Sequence, residues 1–363
     1  MAPTPALLVF LGGMGGSPVE EMVAAARAAA TVDSIHAALD SGACDRAVLV
    51  VDRPLELPGL PPGVTLDVDE GPFHFGRRLV EVVRRHELED VIYLGGGSLP
   101  LLGAADFRAI AAALGEGIAV TNNRFSSDLV AFPAQALGRI EPPERDNALA
   151  PALVEEAGLE VQELPRTVAT LFDIDTPTDL AVLALTGDGG ERLCDYLASL
   201  DLDLERYRRV LPLFLDREAQ IVVAGRVGSH VWAYLERETA CRVRLFAEER
   251  GLEAGARSVP ARSLLGFYID QVGPQRAFQS LAELGDAAFI DTRVQLAHAA
   301  VEASRADRFL SDLGRWQDVG EPFLRELTRA AAEAPLPVLL GGHSLVSGGL
   351  MALNEFAWRE AEA

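Results

Sequence analysis

The sequence predicts an α/β fold, with a mostly parallel sheet flanked by helices and a second α/β domain behind it. Short apolar runs such as "ALLVFLGG" and "RAVLVVD" alternate with helical patterns, the order that builds parallel sheets. A glycine-rich stretch at residues 186–193, "TGDGGERL", interrupts this alternation. A second cycle of strand and helix begins beyond it at "QIVVAG". We therefore expect two domains, residues 1–188 and 189–363.

Strands in the first half are short apolar and β-branched runs bounded by glycine, proline or polar residues. The first is expected at residues 6–11, and the others in "RAVLVVD", "TLDVD", "DVIYLGGG", "GIAVTNN", "DLVAFPA" and "TVATLF". Segments between them have apolar residues at helical spacing: "TVDSIHAALD", "FGRRLVEVVRRHEL", "ADFRAIAAAL" and "TDLAVLAL". Asp175 or Thr176 is expected to cap the last of these helices, with Pro177 in its first turn.

The second half begins with helical patterns and then repeats the alternation of strand and helix. Strands are expected in "QIVVAG", "RVRLFAEE" and "PVLLGG", and helices in "LCDYLASL", "LERYRRVLPLFL", "SHVWAYLERET" and "EPFLRELTRAAAEA". A further apolar element lies in "AAFIDTRVQLA", and a last helix follows "HSLVSGG". Arg226 and His343 follow predicted strands, and Asp291 and Arg293 could form an ion pair or part of a site.

Composition and charge exclude several classes of protein. No apolar run approaches the roughly 18 to 20 residues that a membrane helix needs, and the amino terminus has no basic segment typical of a signal peptide. The three cysteines lie far apart without CxxC spacing, which argues against a disulfide framework and predicts a cytoplasmic protein. The net charge of −22 repels nucleic-acid phosphates. We expect neither a nucleic-acid nor a membrane partner, whereas a small phosphorylated ligand stays compatible with the sequence.

Two glycine-rich loops follow predicted strands, at residues 12–17 and 95–98. Ligands of α/β sheets bind outside the carboxyl ends of the strands. Backbone N–H groups of such loops can hold phosphates, although a tight turn needs glycine as well. The candidate ligand-binding residues are Gly12, Gly13, Gly15, Gly16, Ser17, Gly96, Gly97 and Ser98.

A polar cluster lies between two predicted strands in "TNNRFSSDLVAF". Asparagine and serine are also ordinary turn residues. An arginine among neutral donors, however, suits a phosphate or a carboxylate. We expect ligand contacts from Asn122, Asn123, Arg124 and Ser127.

The segment "LFDIDTPTDLAVL" contains two further candidates, Asp173 and Asp175. Each could offer a carboxylate to a metal ion. Alternatively, Asp175 only caps the following helix and Asp173 is solvated.

Four stretches together resemble a family of nucleotidyltransferases. They are "LVFLGGMGGS", "TVDSIHAALDSGACDRAVLVVD", "VIYLGGGSLPLL" and "LFDIDTPTDLAVL". Their order is similar to that of the enzymes related to molybdenum-cofactor guanylyltransferase and 2-phospholactate guanylyltransferase. The last stretch is the most specific, because it matches the family's closing Asp-Ile-Asp-Thr-Pro-x-Asp-Leu. The resemblance covers residues 5–185 and implies a GT-A-like, or nucleotide-diphospho-sugar-transferase, fold.

The resemblance also implies a reaction. A substrate phosphate attacks the α-phosphorus of a nucleoside triphosphate, pyrophosphate leaves, and Mg²⁺ lies between acidic residues and phosphate oxygens. Carried over to this sequence, Asp173 and Asp175 would hold the metal, and the first loop would hold the phosphates. The loop containing Arg124 would contact the acceptor, so Asp173, Asp175 and Arg124 are the expected catalytic residues.

The sequence departs from the family pattern at two places. Ser98 stands where the family has a metal-binding aspartate. The first loop lacks the family's Arg and Lys; Glu20 and Glu21 follow it, and Arg27 is the first basic residue. Both changes affect groups that neutralise phosphate charge.

Three functions stay open from the sequence. The chain transfers a nucleotide with Mg²⁺ to a small phosphorylated acceptor, or it has lost the reaction and binds a nucleotide or sugar nucleotide as a regulator. In the third, an enzyme site lies in the second half, around Arg226, Arg293 and His343. The second half is also expected to add a subunit or substrate interface, which leaves a homo-oligomer open.

Overall fold

The computed structural model describes residues 4–69, 71–248 and 261–362. They form two compact units, each with its own sheet. The first unit comprises the chain up to Met14, Ala24–Asp173 and Gly189–Tyr196. The second comprises Gly15–Val23, Ile174–Asp188 and the chain from Leu197 onward. The predicted α/β fold class is confirmed.

A mostly parallel sheet forms the centre of the first unit. Its seven strands are β1 (Ala6–Leu11), β2 (Ala47–Val51), β3 (Thr65–Val68), β4 (Asp90–Gly95), β5 (Ile118–Thr121), β6 (Leu129–Pro133) and β7 (Glu160–Glu163). Their order is β3-β2-β1-β4-β6-β5-β7, and β6 runs antiparallel to both of its neighbours. The other pairs are parallel.

The inner strands of this sheet are buried on both faces, which explains their continuous apolar sequences, whereas the edge strands β3 and β7 are largely exposed and polar. Leu8 and Phe10 of β1 point into one core with Phe75 and Leu79, and Leu7 and Val9 point into the other. The α-helices in the first part of the chain are α1 (Pro18–Asp40), α2 (Phe75–Arg85), α3 (Ala104–Ala113), α4 (Leu149–Glu155), α5 (Val168–Leu171), α6 (Pro177–Thr186) and α7 (Glu191–Ala198). Helix α6 and the start of α1, up to Val23, belong to the second unit.

The second unit contains a four-stranded parallel sheet. Its strands are β8 (Gln220–Gly225), β9 (Arg242–Ala247), β10 (Ala287–Asp291) and β11 (Val338–Gly341), in the order β11-β10-β8-β9. Its helices are α8 (Glu205–Leu215), α9 (Ser229–Glu238), α10 (Leu264–Val272), α11 (Pro274–Leu281), α12 (Thr292–His298), α13 (Arg305–Asp312), α14 (Pro322–Ala332) and α15 (Gly348–Glu362). Phe278, Leu324 and Leu327 pack in one core with Val222 and Ile290 of the sheet. None of the described helices is long and apolar enough to cross a membrane.

One predicted strand is a helix in the structure. The segment "TVATLF" forms α5, a single helical turn. The Thr170 hydroxyl accepts a hydrogen bond from the Thr167 N–H at 3.0 Å and donates to the Pro165 carbonyl at 2.5 Å. These local bonds fix a turn and override the β propensity of the threonines and valine.

Candidate functional site

The first sheet has a topological switch point between β1 and β4. From β1 the chain continues to β2 on one side, whereas from β4 it continues to β5 on the other. Open α/β sheets bind ligands at such a point, outside the carboxyl ends of the strands. Gly12 and Gly13 follow β1, and Gly96 and Gly97 follow β4. Two of the predicted loops therefore begin at the same place.

Gly96 is required by the backbone of β1. Its N–H donates to the Phe10 carbonyl at 2.8 Å, and a Cβ on Gly96 would lie 2.8 Å from Leu11 Cα. Gly97 has a φ of 81° and faces the side chain of Arg27. These two glycines therefore allow close packing against β1 and Arg27, and the space beside them is filled by the protein and not by a ligand.

Arg27 of α1 reaches the loop after β4. Its Nε and Nη2 donate to the Gly96 carbonyl at 2.8 and 2.6 Å. Arg27, the first basic residue after the glycine loop, therefore places its positive charge at the switch point. The first loop itself lacks the Arg and Lys that the family has there.

Asp173 supports the turn that contains Ser98. The two residues form an isolated antiparallel bridge, and Asp173 Oδ1 accepts a hydrogen bond from the Leu99 N–H at 3.1 Å. Leu99 is buried and has a φ of 47°, a region that residues with a Cβ rarely occupy. The carboxylate expected to bind metal therefore holds a strained turn at the carboxyl edge.

The predicted acceptor loop lies at the same edge, because it joins β5 to the start of antiparallel β6. Asn122 is buried and bonded within the loop: its Oδ1 accepts the Asp128 N–H at 3.0 Å, and its Nδ2 donates to Asp128 Oδ2 at 2.9 Å. Asn123 Oδ1 accepts the Phe125 N–H at 3.1 Å. The Ser127 hydroxyl is buried and donates to a backbone carbonyl at 3.3 Å. These three side chains shape the loop.

Arg124 differs from its neighbours because it is exposed. Its guanidinium lies 5.2 Å from the ring centroid of Phe125, which is 77% exposed. A cation beside an exposed aromatic face suits a ligand with a phosphate and a planar ring. Phe125 was not among the predicted ligand contacts. An aromatic residue within a polar loop is the feature of the sequence that could have indicated it.

At this edge, buried Tyr93 pairs with half-buried Asp146, a contact that the sequence did not predict. The Tyr93 hydroxyl donates to Asp146 Oδ2 at 3.2 Å. Burial raises the pKa of the Tyr93 phenol, and the negative charge of Asp146 raises it further. Asp146 begins a short 3-10 helix. Nothing local indicates its proximity to β4.

The first loop is divided between the two units, and each part binds a carboxylate of the chain. In the first unit, the Gly13 N–H donates to Asp52 Oδ2 at 2.9 Å. In the second unit, Glu20 Oε2 accepts the Ser17 hydroxyl at 2.6 Å and the Ser17 N–H at 3.3 Å. Gly15 also donates a backbone hydrogen bond to Glu20, and together these bonds lower the pKa of Glu20, the Ser17 hydroxyl contributing most. Gly12 and Gly16 have open space where a Cβ would lie.

Helix α6 begins at a capping box built by Thr176 and Asp179. Asp179 Oδ2 accepts from the Thr176 N–H at 2.7 Å, the Thr176 hydroxyl at 3.0 Å and the Asp175 N–H at 3.0 Å. Thr176 is therefore the cap, followed by Pro177, and Asp175 is exposed. Burial raises the pKa of Asp179 to about 8, and the neighbouring charge of Asp175 raises it as well.

The described residues do not fit a preformed Mg²⁺ site. They contain no group of three or more His, Cys, Asp or Glu side chains that could hold a metal ion. Asp173 Oδ1 already accepts a backbone N–H, and Asp175 belongs to the other unit. In nucleotide sites Mg²⁺ is usually held by one or two carboxylates together with substrate phosphates and waters, so a Mg²⁺ ion that arrives with a nucleotide stays a prediction.

The second sheet has its own switch point, between β8 and β10. Asp291, at the end of β10, is fully buried and binds the Arg226 guanidinium through both oxygens, at 2.6 and 3.2 Å. Arg293 pairs instead with Asp312, at 2.8 and 2.7 Å. The ion pair considered between Asp291 and Arg293 is therefore wrong for the side chains; only the Arg293 N–H contacts Asp291, at 3.2 Å. His343 caps a short 3-10 helix after β11.

Neither the protein-family models nor the curated proteins compared with this chain gave a match. Among solved structures, the chain is similar to a nucleotidyl transferase from Methanothermobacter thermautotroptrophicus, with 15% identity, a TM-score of 0.34, and coverage of 46% of this chain and 89% of that chain. A protein from Aquifex aeolicus VF5 is 15% identical, with a TM-score of 0.38 and coverage of 48% of this chain and 94% of that chain. A cytidylyltransferase from Leptospira borgpetersenii is 13% identical, with a TM-score of 0.38 and coverage of 54% of this chain and 93% of that chain. Scores this low assign no activity, so the fold stands on the strand order above.

Proposed function

We propose that the first unit binds a nucleotide or sugar nucleotide at the switch point between β1 and β4, and that the chain is nucleotidyltransferase-like. The observation that carries the proposal is the convergence of residues 12–13, residues 96–97, Arg27 and the β5–β6 loop at one edge of the sheet, all within the first unit. The resemblance of the sequence to guanylyltransferases supports the same assignment.

Three residues, Arg27, Arg124 and Phe125, would make the main contacts in this proposal. The Arg27 guanidinium supplies positive charge beside the glycine loops. Arg124 and the exposed ring of Phe125 would contact a phosphate and a base, since aromatic faces stack on bases and guanidinium groups bind phosphates in a fork. The remaining polar residues of the β5–β6 loop hold Arg124 and Phe125 in place.

Binding is favoured over transfer of the nucleotide. Ser98 stands at the expected metal aspartate, and the first loop lacks the family's Arg and Lys. Nucleotidyl transfer, with an acceptor phosphate attacking the α-phosphorus and pyrophosphate leaving, is the second candidate, favoured by the charges of Arg27 and Arg124. Mg²⁺ on Asp173 and Asp175 stays a prediction, and no step here depends on it.

Thermal unfolding in the presence of nucleotides tests the binding proposal. A ligand of the native state stabilises it by about 2.7 kcal/mol at a hundredfold excess over Kd. We expect at least one nucleoside triphosphate or sugar nucleotide to raise Tm. Arg124→Gln should weaken the effect, and Arg108→Gln, an exposed arginine of α3, should not.

The outcomes separate the two candidates. Stabilisation without release of pyrophosphate in the presence of phosphorylated acceptors supports binding alone, and release of pyrophosphate supports transfer. If no nucleotide at millimolar concentration changes Tm, with or without Mg²⁺, both candidates are wrong.

A further inference from the structure

Helix α13 in the second unit carries two arginines one turn apart, Arg305 and Arg308. Arg305 is exposed and Arg308 is half-buried. Within the described ranges, the Arg308 guanidinium has no hydrogen bond or ion pair. Asp312, one turn further along α13, is not available to pair with Arg308, because its two oxygens already bind Arg293 at 2.8 and 2.7 Å.

Arg308 is therefore a partly desolvated cation among other cations. Burial lowers its pKa, and the positive charges of Arg293 and Arg305 lower it further, whereas Asp312 and Glu20 act in the opposite direction. Charged groups taken out of water are normally paired. Arg293 is neutralised by its ion pair with Asp312, whereas no ion pair neutralises Arg308 among the described residues. A bound anion would supply the missing partner.

The segment Gly15–Val23, in the same unit, brings the carboxylate of Glu20 near these arginines. The charge of Arg305 contributes to the lowered pKa of Glu20, although the Ser17 hydroxyl contributes more. Glu20 Oε2 accepts the Ser17 hydroxyl and N–H at 2.6 and 3.3 Å, and within the described ranges no hydrogen bond joins Glu20 to the Arg308 guanidinium. Its negative charge would repel an anion that approaches the arginines.

We propose that Arg305 and Arg308 form a phosphate-binding site in the second unit, and that Glu20 weakens it by charge repulsion. Two guanidinium groups on one helix face offer fork-shaped donors that match the oxygens of a phosphate. The phosphate is either inorganic or part of a nucleotide, and the site does not depend on nucleotide binding by the first unit.

Calorimetric titration of the full chain with inorganic phosphate, pyrophosphate and a nucleoside triphosphate tests the site. Arg308→Gln is expected to weaken phosphate binding about tenfold, as the loss of one charge-assisted contact would. Arg305→Gln should act in the same direction, and Glu20→Gln should tighten binding. Arg276→Gln is the control, because this exposed arginine of α11 lies outside the charges that affect Arg308.

Stability supplies a readout that a merely structural arginine would not give. In phosphate-free buffer, Arg308→Gln should be at least as stable as the native chain, because it removes an unpaired charge; phosphate should reverse that order. Retention of the site under Arg124→Gln would separate it from the nucleotide site. If nucleotide but not free phosphate depends on Arg308, the phosphate is part of a nucleotide. The proposal fails if none of the three anions binds at millimolar concentration, or if Arg308→Gln and Arg276→Gln bind alike.

Discussion

Asp173 should stabilise the turn after β4 even when no ligand is present. Its Oδ1 accepts the N–H of buried Leu99 at 3.1 Å, and Leu99 is held at a φ of 47°. Asp173→Ala removes the acceptor and leaves that N–H unsatisfied, which costs about 2 kcal/mol for a hydrogen bond to a charged group. In Asp173→Asn the amide oxygen can still accept the Leu99 N–H, so the free energy of unfolding should fall by only about 1 kcal/mol.

Urea denaturation followed by far-ultraviolet circular dichroism, in buffer containing a chelator, measures this difference. The midpoint should fall in the order native, Asn, Ala, without a change in the slope m. Asp175→Ala is the matched control, because its exposed carboxylate should contribute less than about 0.5 kcal/mol. If Asp173→Ala is as stable as the native chain in the chelator, the carboxylate does not support the turn, and the structural role argued for it is wrong.

Three other perturbations have expected outcomes. Gly96→Ala should destabilise by about 1–3 kcal/mol in thermal melts, because its Cβ would lie 2.8 Å from Leu11 Cα. The pKa of Asp179 is raised from 3.8 to about 8, so the folded state binds this proton more tightly than the unfolded state, and stability falls as pH rises through that range. Asp179→Asn should remove this fall in denaturation series across pH. Asp312→Ala leaves Arg293 without its partner and should cost about 3–5 kcal/mol in urea, and Arg293→Met with Asp312→Leu should regain most of it.

Strands were predictable because burial on both faces leaves a continuous apolar run. The expected first strand at residues 6–11 coincides with β1, and "DVIYLGGG" contains β4. Helix α1 begins at Pro18, well before the expected segment. This early start was not predicted, because the alanine-rich stretch before residue 31 has no amphipathic pattern. Local hydrogen bonds of Thr170 decided α5 against its β propensity.

The carboxyl edge was predictable as the place for a site, because strand order alone gathers the loops there. The partners within it were not. Asp291 is two residues from Arg293 yet pairs with Arg226, because Asp291 caps helix α12 and so contacts the Arg293 N–H, not its guanidinium. The partners Arg226 and Asp312 come from the turn after β8 and from α13, which the local sequence does not indicate. Asp146 reaches Tyr93 across 53 residues of sequence, a contact that only the tertiary fold creates.

The acidic character of the first loop has a structural counterpart that bears on function. The Gly13 N–H is bonded to Asp52, and the Ser17 N–H and hydroxyl are bonded to Glu20. These carboxylates take the donors that a phosphate would use, so a phosphate has to displace a negative charge that is already hydrogen-bonded. The energetic gain from binding there is the difference between two anions, and it is smaller than the gain at an empty loop. Tight triphosphate binding through this loop alone is therefore disfavoured, and under the proposed function the arginines of other elements, Arg27 above all, would supply most of the attraction.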